Sequence, residues 1–160
     1  MNQTGVTVKD TDYAHVAGLI DGEGSIHIEE TKGKWYAPRM GLGMTKPALS
    51  VMTELHQEYG GTLRIMRPAT EKWAEAWMFY VHGADCEKLL RDVVPYLKIK
   101  KHHAELAIQV SEIRNALPRR TNGQSVWTEA AREKCREIKQ EVKKLNRKGP
   151  RATVGSVEAA

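Results

Sequence analysis

The period of the apolar positions changes along the chain, and each change marks an element. Thr11-Asp12 can cap a helix N-terminus. Tyr13, Val16, Ala17, Leu19 and Ile20 follow at helical spacing, and Gly22 and Gly24 are expected to end that helix. From Ser25 to Thr31 the period falls to two, with Ile26 and Ile28 on one side and Ser25, His27 and Glu29 on the other. After the turn Lys32-Gly33-Lys34 the alternation resumes, placing Tyr36, Met40, Leu42 and Met44 opposite Trp35, Arg39, Gly41 and Gly43. These two strands form a hairpin.

Pro47 suits a first helical turn, and Leu49, Met52, Leu55 and Tyr59 continue at helical spacing until Gly60-Gly61. Thr62–Arg67 reads as a third strand and Glu75–His82 as a fourth. The run Trp77-Met78-Phe79-Tyr80-Val81 is apolar throughout, so the facing of the fourth strand is ambiguous. Helices are predicted over 84–94, 102–116 and 128–145, the last one highly charged. The fold class is therefore α+β, an antiparallel sheet with helices on one face. The organisation reads as an N-terminal arm over 1–10, a core over 11–116, a linker over 117–127, a charged helix over 128–147 and a disordered tail over 148–160.

Charge sharpens the picture. Lys and Arg number 25 against 20 for Asp and Glu, a net charge of +5, which suits a polyanionic partner. The face opposite the core carries His27, Glu29, Trp35, Arg39 and Arg64, the pattern of a β surface able to enter a major groove. Cys86 and Cys135 lack zinc-ligand spacing and read as reduced thiols. No apolar run reaches the roughly 18 residues of a membrane span, and Met1-Asn2-Gln3-Thr4 lacks a signal pattern. The chain reads as an intracellular, soluble protein, neither secreted nor membrane-bound, with no small-molecule substrate.

The first helix carries the chemistry. Gly18 and Gly22 lie one turn apart, and with Ala17 they make a small-residue face that lets another backbone approach closely. Asp21 and Glu23 sit at the helix C-terminus, where the dipole disfavours acids. Two carboxylates beside carbonyls there suit a divalent cation.

Val16-Ala17-Gly18-Leu19-Ile20-Asp21-Gly22-Glu23-Gly24 resembles the name motif of the LAGLIDADG homing endonucleases, with Val16 for Leu, Gly22 for Ala and Glu23 for Asp. The order of elements agrees with that family's αββαββα core, here with additional C-terminal helices. The resemblance implies a metal-dependent DNA endonuclease of mobile genetic elements, built on a saddle-shaped sheet. Carried over, Glu23 is catalytic and binds metal, and Gly22 contributes a carbonyl. Ala17, Gly18, Asp21 and Gly22 form the dimer interface. The implied cofactor is Mg²⁺ or Mn²⁺, with Ca²⁺ as a non-cleaving substitute. Only one motif is present, and single-motif relatives act as homodimers on near-palindromic double-stranded DNA.

Pro95-Tyr96-Leu97-Lys98-Ile99-Lys100 resembles a second family element and makes Lys100 the implied active-site lysine, with Lys98 as the alternative position. A water-ordering polar residue is common at the end of the second strand. The nearest residue here is Met44, so Thr45 or Lys46 takes that place by a small register shift. Arg39 and Arg64 are the leading candidates for base readout. His27, Glu29, Thr31, Trp35 and Arg67 follow, and Lys32 and Lys34 are placed on the backbone. The alternative reading is a non-cleaving relative, either an RNA-splicing maturase or a DNA-binding regulator.

Overall fold

The computed structural model describes residues 8–147. Most of the expected arm, residues 1–7, and the expected tail, residues 148–160, lie outside the described residues. Helix α1 (Val8–Glu23) leads into strand β1 (Gly24–Thr31) and strand β2 (Trp35–Thr45). Helix α2 (Leu49–Tyr59) follows a single 3-10 turn that holds Pro47, and strands β3 (Thr62–Arg67) and β4 (Ala76–His82) come next. Helices α3 (Gly83–Val93), α4 (Lys101–Asn115) and α5 (Glu129–Leu145) complete the described chain.

All strand pairings are antiparallel, in the order β1-β2-β4-β3. The β1–β2 hairpin closes through the three-residue loop Lys32-Gly33-Lys34, with Lys32 and Gly33 both at positive φ. The Lys34 N–H donates to the Thr31 carbonyl at 3.0 Å.

Alternation decides which face is buried. Ile26, Ile28, Tyr36, Met40 and Leu42 point into the core with Phe79 and Val81 of β4. The helices cover that face with Ile20, Met52, Leu55, Leu89, Leu90 and Val110. The register resolves the facing of the apolar fourth strand: Phe79 pairs with Leu42, and Tyr80 with Gly41. Phe79 is fully buried, so Tyr80 and Met78 lie on the opposite face.

Two details differ from the expectation. Helix α1 begins at Val8, so Thr11-Asp12 lies inside it and not at its cap. It also runs through Gly22 to Glu23, and neither Gly22 nor Gly24 takes the positive φ of a glycine cap. Gly24 is required for another reason: a Cβ there would meet the Cα and carbonyl oxygen of Ile20 at 2.8 Å. Helix α5 packs onto the rest of the fold. Thr128 Oγ caps it by accepting from the Ala131 N–H at 3.1 Å, and Cys135, Ile138 and Val142 are buried in the common core.

Candidate active site and nucleic-acid interface

The end of α1 is built by a reciprocal exchange with the chain entering α4. Asp21 accepts the backbone N–H groups of Lys98, Ile99 and Lys100 at 2.9, 3.1 and 2.8 Å. In return, Lys100 Nζ donates to the carbonyls of Ile20 and Asp21 at 2.9 and 2.6 Å. An acid at the C-terminus of α1 opposes that helix's dipole, but it stands at the N-terminal side of α4, where negative charge is favoured. Lys100 is the matching cation at the C-terminus of α1. Burial alone would raise the Asp21 carboxyl, yet the three N–H groups and the Lys100 charge hold it below its ordinary range. Asp21 is thus held by bonds within the protomer.

Ala17 is not exposed on the protomer. It is fully buried among the protomer's own core residues, because positions 17, 20 and 24 share the face turned toward the sheet. Gly18 and Gly22 stand one turn apart on the open side, and a Cβ built on either meets nothing within 4 Å.

Glu23, exposed at the last position of α1, borders a hollow with Gly43, Met44, Thr45, Met66 and Arg67. Thr45 is the hydroxyl nearest the expected water-ordering place. The exposed Lys46 Nζ faces Glu75 Oε1 at 3.9 Å. Arg67 lies with its guanidinium 5.0 Å from the Trp73 ring, and its buried Nε has no hydrogen-bond partner. Among the described residues, no three His, Cys, Asp or Glu gather to hold a metal ion.

The open sheet face runs away from this hollow along β1 and β2. Its next depression brings together Ser25, His27, Glu29, Arg39, Arg64 and Tyr80. Arg39 and Arg64 converge on the Tyr80 ring at 4.8 and 5.8 Å, and Arg39 faces Glu29 at 3.6 Å. Burial and the Arg39 charge push His27 below its ordinary value. The imidazole is therefore neutral at pH 7 and can both donate and accept toward base edges. Thr31 and Trp35 are exposed at the far end of the same face, with Lys32 and Lys34 in the hairpin turn. Tyr80 is a member of this face that sequence reasoning missed; its signal lies in strand pairing, not in the composition of β4.

Neither a family model nor a curated protein matches the chain by sequence. Solved structures do match in three dimensions. The homing endonuclease I-CvuI, crystallised with its target in the presence of Ca, superposes with a TM-score of 0.65 at 17% identity, covering 91% of this chain and 88% of that one. The archaeal intron-encoded homing endonuclease I-Vdi141I, complexed with DNA, gives 0.61 at 14% identity over 90% and 89%. The LAGLIDADG homing endonuclease I-GzeII, in complex with its DNA target, gives 0.60 at 14% identity over 87% of this chain but 45% of that chain.

Proposed function

The chain has the fold of the LAGLIDADG homing endonucleases, and from that premise we propose that it is a site-specific double-stranded DNA endonuclease working as a homodimer. The observation that carries this reading is the position of Glu23. It is an exposed carboxylate at the end of a helix whose Gly18–Gly22 side is open, beside a sheet face bearing Arg39 and Arg64. Two copies meeting along the open glycines would bring two such carboxylates together across a two-fold axis. The sheet faces would then lie along the two halves of one near-palindromic duplex.

A divalent cation fits this donor set. One protomer offers only Glu23 and the Gly22 carbonyl, and magnesium is commonly held by one or two carboxylates, with phosphate oxygens and water completing its shell. When bound, it would supply Lewis-acid stabilisation and an activated water for phosphodiester hydrolysis. The chain's own residues orient the substrate. The Lys100 ammonium has three donors; two engage the α1 carbonyls, and the third, without a partner among the described residues, would reach a phosphate oxygen. Arg39 and Arg64 present planar donors to bases or phosphates.

The test is a cleavage selection on randomised duplex DNA with Mg²⁺, comparing wild type with Glu23→Gln. Cutting by wild type is expected, with loss of at least about a hundredfold in the variant. Failure of wild type to cut any selected duplex would refute the enzyme reading. Met44 and Met66 beside Glu23 favour a second reading, a non-cleaving DNA-binding or RNA-splicing relative, because neither side chain can order a water. Selective binding without cutting would establish it.

A further inference from the structure

A second basic hollow lies at the opposite end of the sheet face from Glu23. It is lined by the hairpin residues Lys34 and Trp35, by Arg114 of α4, by Arg119 and Arg120 of the 118–127 loop, and by Arg132 of α5. No carboxylate lines it. Arg132 is paired with Glu129 at 3.4 Å, whereas the Lys34 and Arg120 side chains make neither hydrogen bonds nor ion pairs among the described residues. Like charges are not gathered this way for stability, since each raises the cost of the next.

The hollow is built, not draped. The Arg120 N–H donates to the Gln124 carbonyl at 2.8 Å, the Gly123 N–H to the Arg120 carbonyl at 2.8 Å, and the Val126 N–H to the Pro118 carbonyl at 2.7 Å. An isolated bridge joins Arg119 to Ser125, and the Arg119 guanidinium donates to the Gly123 carbonyl at 3.1 Å. The loop is tied to the hairpin by the Tyr36 and Trp127 rings, 5.8 Å apart, and by Arg132 Nε donating to the Lys34 carbonyl at 3.4 Å. Thr31, Trp35 and Ala37 belong both to this hollow and to the open side of β1 and β2, so the two surfaces are continuous.

We infer that this hollow is a clamp for the phosphodiester backbone of the duplex flanking the sheet, centred on Arg119 and Arg120. The inference rests on the DNA reading above. The eight residues of β1 span about 26 Å at 3.3 Å per residue. This sets the clamp about eight base pairs from Glu23, at 3.4 Å per pair. The contact is to phosphate and carries no sequence information.

The experiment measures affinity for a 40-base-pair duplex of mixed sequence across a NaCl series, by fluorescence anisotropy. The full chain is compared with R119A/R120A and with R119K/R120K. In the proposed homodimer the variant loses four phosphate contacts, two per protomer, which lowers the magnitude of the slope of log affinity against log salt by about 3.6, and the lysine pair restores most of it. An unchanged slope in a folded alanine variant, while wild type binds and cuts DNA, overturns the clamp alone. Absence of duplex binding by wild type overturns both the clamp and the DNA reading. Preference of wild type for a single-stranded RNA of equal length, lost in R119A/R120A, also overturns the duplex clamp.

Discussion

Asp21 and Lys100 show how one residue can answer two helices. The Lys100 side chain caps α1, and the Asp21 carboxylate holds the turn that leads into α4, so neither can change alone. Asp21→Asn keeps the size but removes the charge that three N–H groups solvate. Its cost is on the order of 1–2 kcal/mol, read as a lowered midpoint in urea at pH 7. The pH dependence has a definite sign. The carboxyl is held below its ordinary range when folded, so its contribution is complete above the unfolded value near 3.9. It is lost as pH falls through the lower folded value. The asparagine variant should therefore show a shallower acid-unfolding limb below about pH 4. Lys100→Met should lower stability by a similar amount and, on the proposed mechanism, depress cleavage by about a hundredfold or more. A variant that lost stability but cut at the wild-type rate would confine Lys100 to capping.

At the scale of elements, the stretch from α1 into β1 presents two kinds of glycine, and substitution should tell them apart. A side chain at Gly18 meets open space, so Gly18→Leu should leave the protomer folded, with the helix gaining about 0.5–1 kcal/mol of intrinsic propensity. Sedimentation should nonetheless report a monomer, because the side chain blocks the approach of a second α1. Gly24→Ala should do the opposite, lowering the melting temperature through its clash with the Ile20 backbone. A Gly18→Leu protein that stays dimeric would contradict pairing through α1. The small-residue stripe was legible in the sequence, since glycines four apart share a face. The inward turn of Ala17 was not: Val16, Ala17, Leu19 and Ile20 are all apolar, and a nearly continuous apolar run does not declare its buried side. The ladder of β4 settles Tyr80 for the same reason, because a partner strand breaks the degeneracy of an apolar run.

Across the whole molecule, local periodicity named the elements, while contacts far apart in sequence set their roles. Helix α5 is highly charged, yet a sparse apolar stripe legible in its sequence, Cys135, Ile138 and Val142, carries it into the core. Ile138→Ala should cost about 2–4 kcal/mol, measured as a cooperative shift of the entire unfolding transition; loss of α5 by itself would show it to be a separate unit. Asn146 Nδ2 donates to the Ile26 carbonyl at 2.8 Å, and Lys139 pairs with Glu30, so α5 also shields the edge strand β1. The length of β1 has one more consequence. In the proposed dimer, about eight base pairs per protomer make a site of about sixteen, one word among roughly four billion. A genome offers about 10⁶ to 10⁹ competing positions. Such a reader could ignore the identity of several base pairs and still find few addresses in its host.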